Sequence, residues 1–335
     1  MNQLTPATAI LTSSRRWALG VVAAIYLAVA ATVLSQVDSE TLQLAASLPL
    51  SLMLSLLGLS LLNYALRAGR WVMLSRALEL QVPHLANTLY YFSGYSLTAT
   101  PGKAGEAIRL WLMKSGHGIA YSRSMPLMLA DRALDTWAIM LLTLVSFSGF
   151  QAYRWHGAAL LVIVVLLSLP LVRPRMLEPL LLAAAGVVKR RVRLLVRLRR
   201  VLRAMGRLSS WKTYGATLVP SVIGWWAESF ALYLILQHFG ADVSVANAVF
   251  VFSFSMIVGA ISMLPGGLGS TEATMVILLT ALGVDMDVAL ISTAIIRATT
   301  FWFAVVIGLL LTQSAMTTSR KAAKAGMLLR VKETT

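Results

Sequence analysis

Charged side chains set inside apolar sequence are the groups of this chain best placed to do chemistry. Glu106 and Arg109 follow the break Pro101-Gly102-Lys103-Ala104-Gly105. Asp131, Arg132 and Asp135 sit in the apolar run Met125–Phe150. Glu272 follows a second break, Pro265-Gly266-Gly267-Leu268-Gly269-Ser270-Thr271, and Arg297 lies in the run Val288–Thr312. A charge at the centre of a bilayer costs about 2.5–3.5 kcal/mol on insertion scales, so each needs a partner or a task. Arg109, Arg132 and Arg297 suit an anion such as phosphate, which a guanidinium grips through paired, charge-assisted hydrogen bonds. Lys103 adds a point charge. Helix starts after Gly105 and Gly269 add free N–H groups and a positive dipole end. Glu106, Asp131 and Glu272 suit a headgroup amine, or a proton that drives a cycle. A structural explanation competes with these roles. Asp131, Arg132, Asp135 and Arg297 also suit ion pairs, and Glu106 and Glu272 also complement helix N-termini; the sequence leaves both open. Glu228, beside Trp225 and Trp226, has no evident sequence partner.

Other chemistries are absent from the sequence. There is no cysteine, and the four histidines are far apart without metal-ligand spacing, so neither a metal nor another cofactor is expected. Gly102-Lys103 lacks the rest of a Walker A motif, and no nucleophile–base pair accompanies the acids. The expectation is a protein that is not an enzyme.

The elements that hold these residues follow from composition. Of 335 residues, 58% are hydrophobic and 13% charged, about half the charge of a soluble protein. Apolar runs at Trp17–Val37, Leu44–Leu62, Met125–Phe150, Gly157–Val172, Tyr214–Gln237 and Val288–Thr312 predict about six spans. The stretches broken by Pro and Gly predict two re-entrant helical hairpins, since broken backbone at membrane depth needs cover from protein or a wet cavity. The expected fold is therefore all-α, a polytopic integral membrane protein.

The net charge of +16 orients it. Basic residues at Arg15 and Arg16, at Arg67, Arg70 and Arg76, and at Lys114 and Arg123 read as cytoplasmic flanks. Arg173 to Lys212 holds twelve basic residues and the single acid Glu178, and basic residues recur from Arg320 onward. Asp38, Glu40, Asp242, Asp285 and Asp287 mark the other side. Both termini then lie inside, and the hairpins enter from opposite faces. Residues 1–172 form one membrane repeat with a hairpin at 85–121, and 214–315 form the second with a hairpin at 246–284. Between them, 173–213 form a basic linker, and 316–335 form a basic tail. Glu106 to Asp131 spans the same interval as Glu272 to Arg297. Opposed hairpins at matching intervals predict an inverted repeat with its site near the midplane. From Lys189 to Arg207, Leu194, Leu198 and Leu202 share one helical face, and Arg193, Arg197 and Arg200 fall largely on the other. That pattern predicts a helix lying on anionic headgroups of the cytoplasmic leaflet, and it disfavours nucleic acid as a partner.

The two Pro-Gly breaks with Glu106, Arg109 and Glu272, the Asp131-Arg132 pair with Asp135, and Arg67-Ala68-Gly69-Arg70-Trp71 together resemble the membrane domain of the lysylphosphatidylglycerol synthase/flippase family. The resemblance runs from about Trp17 to Thr312. In bifunctional members a cytoplasmic domain makes aminoacylated phosphatidylglycerol and the membrane domain flips it. No synthase domain stands in this sequence, so the resemblance implies lipid translocation without synthesis. The lipid stays open among aminoacyl, glycerophospho and polyprenyl-phosphate-linked types. Alternatives are a membrane enzyme acting on lipid phosphates and an accessory subunit of a membrane glycosyltransferase. The expected location is a bacterial inner membrane, and a homo-oligomer is left open.

Overall fold

The structure, a computed structural model, describes residues 47–98, 100, 104–147 and 211–334, together with 162, 203, 206 and 208. The expected span Trp17–Val37, all of Gly157–Val172 except Val162, and the surface residues Arg193, Arg197 and Arg200 lie outside the described residues. Every regular element among those described is helical.

Helix α1, Leu50–Ala77, begins directly after Pro49, whose fixed φ suits a helix entry. Helix α2, His84–Ser93, likewise follows a proline and tightens into a 3₁₀ turn at Gly94–Leu97. Helix α3, Ala104–His117, resumes after the first Pro-Gly break. Helix α4, Tyr121–Val145, carries Asp131, Arg132 and Asp135. Helix α5, Trp211–His238, leads to α6, Val245–Ile261, which is capped by the Ser244 side chain accepting from the Asn247 N–H at 3.2 Å. A 3₁₀ turn at Pro265–Gly267 separates α6 from α7, Ser270–Ala281. Helix α8, Met286–Arg297, passes through a π turn at Ala298–Trp302 into α9, Phe303–Thr334.

Leu50–Ala77, Lys212–His238 and Met286–Leu328 are long and apolar enough to cross a bilayer. Their outward faces are apolar too: Leu54, Leu61, Val219, Trp226, Val306 and Leu310 are exposed, as a surface that meets lipid requires. The 43 residues of Met286–Leu328 extend about 65 Å at 1.5 Å per residue, roughly twice a hydrocarbon core.

One expectation needs correction. The second apolar run was expected to end near Leu62, with Arg67 and Arg70 in a cytoplasmic flank. Instead α1 continues through both arginines to Ala77 and buries them, leaving Arg76 exposed. Beyond the last apolar run, Val288–Thr312, the helix continues to Thr334.

Packing falls into two apolar clusters. One gathers α5, α6, α7 and α8 with the end of α4; the other gathers α1, α2 and α3 with the start of α4 and parts of α9. Helix α4 passes from one cluster to the other between Leu134 and Ala138, and the α8–α9 rod does so between Ile296 and Ala304. Helices α1 and α5 cross in extensive contact, α6 packs on α4, and α9 packs on α2 and α3. At one crossing Gly308 of α9 lies directly on the Tyr95–Ser96 backbone, where any Cβ would collide. The charged residues collect at the junction of the two clusters.

Candidate functional site

The floor of the site is a buried ion network between α1 and α4. Arg67 and Arg70 are three residues apart, and Asp131 and Asp135 four apart, so each pair shares one helix face. Arg70 is fully buried and bonds both aspartates, reaching Asp135 Oδ1 at 2.9 Å and the Ser221 hydroxyl of α5 at 2.6 Å. Arg67 Nη2 donates to Asp135 Oδ2 at 2.7 Å, and its guanidinium lies 5.0 Å from the centre of the Trp225 ring. Trp225 Nε1 donates to Asp135 Oδ1 at 3.2 Å. Such groups are costly to bury singly, and shared hydrogen bonds offset that cost.

Arg109 projects from α3 into an aromatic box. Its guanidinium carbon lies 3.9 Å from the centre of the Tyr91 ring, 5.3 Å from Trp71 and 5.5 Å from Tyr95. Ring faces attract a cation most when water is excluded. Trp71 is itself fixed by donating from Nε1 to Asn87 Oδ1 at 2.8 Å. Arg109 Nη1 is 3.7 Å from Asp131 Oδ2, a charge contact too long for a hydrogen bond.

The second Pro-Gly break forms the opposite wall. Gly266 has φ 62°, and Gly269, the residue before α7, has φ 86°. Both lie in the left-handed region that glycine enters without a Cβ penalty. The Glu272 carboxylate accepts from the Gly269 N–H at 2.7 Å and from Arg297 Nε at 2.5 Å. Arg297 also donates from Nη2 to the Gly266 carbonyl at 3.2 Å and stacks 4.4 Å from the Phe301 ring centre. One arginine on α8 thus ties the broken turn to α8, just before the π turn.

These walls enclose a cavity of about 400 Å³. Arg67, Arg109, Arg132, Asp135, Glu228 and Arg297 face it, among Tyr64, Tyr95, Trp225, Phe252 and Phe301. Four guanidinium groups on one small, largely apolar cavity favour an anion with a hydrophobic remainder.

Of the residues expected from the sequence, Arg109, Arg132, Arg297 and Gly266 come together on this cavity. Asp131 is set behind it, paired with Arg70, and Glu272 is set behind it, paired with Arg297. Pro265 opens the second turn and Gly269 caps α7. Gly105 falls in the first turn of α3. Pro101, Gly102, Lys103 and the Glu106 side chain lie outside the described residues. Sequence reasoning missed Arg67 and Arg70 as site residues. The available signal was Asp131 and Asp135 at helical spacing, two buried acids that require cations on a neighbouring helix.

A family model described as the lysylphosphatidylglycerol synthase TM region matches residues 17–308. A UPF0104 membrane protein of Methanothermobacter thermautotrophicus is 28% identical over 264 residues, covering 71% of this chain and 78% of that protein. Another of that name, from Pyrococcus horikoshii, is 25% identical over 270 residues, covering 72% and 80%.

Proposed function

The chain belongs to the lysylphosphatidylglycerol synthase TM region family, and from that premise we propose that it is a lipid translocase. It carries a lipid with an anionic phosphate headgroup between leaflets and does no chemistry on it. The observation that carries this reading is the meeting of Arg109 and Arg132, on successive helices, with Arg297 from the far end of the chain on one cavity. A phosphate is an anion whose paired oxygens match the fork of a guanidinium group. The apolar remainder of the lining suits the first carbons of the acyl or prenyl chain.

Alternating access through an inverted repeat is part of the same reading. Two arrangements support it. The α2–α3 hairpin precedes α4 with its buried Asp131, and the α6–α7 hairpin precedes α8 with its buried Arg297. The first hairpin also packs against α9, the continuation of α8 beyond the π turn, and α6 of the second packs on α4. In such folds the site lies between broken helices, and the two halves rock around it.

Purified protein in liposomes with headgroup-labelled phosphatidylglycerol tests the proposal. A translocase moves label between leaflets and leaves its mass unchanged. A change in lipid mass would make the protein an enzyme, and no transfer of any phosphate-bearing lipid would overturn the reading.

A further inference from the structure

One buried acid takes no part in the ion network. Asp131, Asp135 and Glu272 each hold an arginine. Glu228, on α5, is as buried as Asp135 and faces the same cavity, yet among the described residues it forms no ion pair. The packed elements around it supply few alternatives. Tyr64 and Arg67 of α1, Arg132 and Asp135 of α4, and Arg297 of α8 share its cavity, and Asn63 of α1 lies beside it. Helix α6 offers no charged group on that wall, only Phe252, Met256, Gly259 and Ala260. Arg67 and Arg297 are both near enough to attract its carboxylate, and Asp135 near enough to repel it. Both arginines are also committed to other acids.

We propose that Glu228 is a proton carrier: it takes one proton from water when a lipid phosphate enters the cavity and returns it when the phosphate leaves. This rests on the phosphate-site reading above and adds the energy coupling. On uptake an O–H bond forms on the carboxylate as one breaks in hydronium or a buffer acid, and release is the reverse, with no change of oxidation state. The physical cause is competition for the same guanidinium groups. A phosphate drawn to Arg297 and Arg132 brings a second negative charge beside a carboxylate that has no cation of its own. An anion about 6 Å away, at an effective dielectric near 20, changes a carboxyl's proton affinity roughly a hundredfold. Lipid and proton therefore bind together, and a proton gradient gives lipid movement a direction.

Linkage makes this measurable. If binding takes up a proton, affinity rises as pH falls, by about tenfold per unit over the range where Glu228 titrates. The probe is dihexanoyl-phosphatidylglycerol, a monomeric phosphodiester whose own charge is constant across that range. Isothermal titration of the full chain in detergent, in two buffers of different ionisation enthalpy, counts the protons. The expected result is an uptake approaching one proton per lipid in the parent. Affinity should be roughly a hundredfold higher at the acid plateau than at the alkaline one. Glu228→Gln should bind at the acid-plateau affinity at every pH and take up no proton. Lipid binding by the parent with no proton uptake at any pH between about 5 and 9 overturns the coupling and leaves the phosphate site standing. The same uptake in Glu228→Gln assigns the proton to another group and overturns the proposal. If Glu228→Gln does not fold, Glu228→Asp replaces it and should shift the pH midpoint of the uptake, and an unshifted midpoint overturns the proposal. No binding of the probe to the parent removes the phosphate site and this proposal together.

Discussion

Replacing Arg70 with leucine should be among the most damaging single changes in the chain. Arg70 bonds Asp131, Asp135 and the Ser221 hydroxyl, all in a region closed to solvent. Without it, Asp135 keeps Arg67 at 2.7 Å and the Trp225 Nε1 donor at 3.2 Å. Among the described residues Asp131 keeps Arg109 at 3.7 Å and Arg132 at 3.8 Å, neither within hydrogen-bond distance. The cost therefore falls on Asp131. Breaking one side of a buried pair costs about 3–5 kcal/mol. Adding Asp131→Asn removes the stranded charge and should return at least about 1 kcal/mol as a coupling between neighbours. Unfolding of the purified protein in mixed micelles, followed by tryptophan fluorescence, measures both. A loss below about 1 kcal/mol in Arg70→Leu, or strict additivity in the double variant, would refute the view that this network holds α1 to α4.

Other outcomes follow from the same geometry. Gly308→Val should destabilise by about 1–3 kcal/mol in that assay, because its side chain would enter the Tyr95–Ser96 backbone. Single cysteines placed between Met113 and Met125 should label from the cytoplasm, and cysteines at Asp285 or Asp287 from the opposite side. Labelling of both from one side would exclude opposed hairpins; the parent has no cysteine to confuse the result. Arg297→Lys should keep only part of the transfer activity, since an ammonium lacks the fork that reaches both Glu272 and the Gly266 carbonyl.

Much of this was legible in the sequence. Proline and glycine at Pro265-Gly266-Gly267 announce a break because they change backbone geometry locally, whatever packs around them. The interval from Glu272 to Arg297 carried real information, for the two side chains bond each other. Arg67 and Arg70 were misread because a run of arginines after apolar sequence has the same composition as a cytoplasmic flank. What separates the two cases is a partner helix, which no local pattern shows. Leu74 and Leu78, buried beyond the arginines, were the local hint that the helix continued inward. The aromatic box around Arg109 was invisible for a related reason. Trp71, Tyr91 and Tyr95 come from two elements whose spacing says nothing of their approach to a third.

The central claim is that the arginine-lined cavity carries the lipid phosphate. The most direct measurement is leaflet transfer of labelled phosphatidylglycerol in proteoliposomes by the parent and by Arg297→Ala. Size-exclusion and the unfolding assay confirm that the variant is folded. The account predicts transfer by the parent and a loss of about tenfold or more in the folded variant, the scale set by one charge-assisted contact. Transfer by folded Arg297→Ala at the parental rate would contradict it, leaving Arg297 as a brace for the Gly266 turn and the phosphate without this anchor.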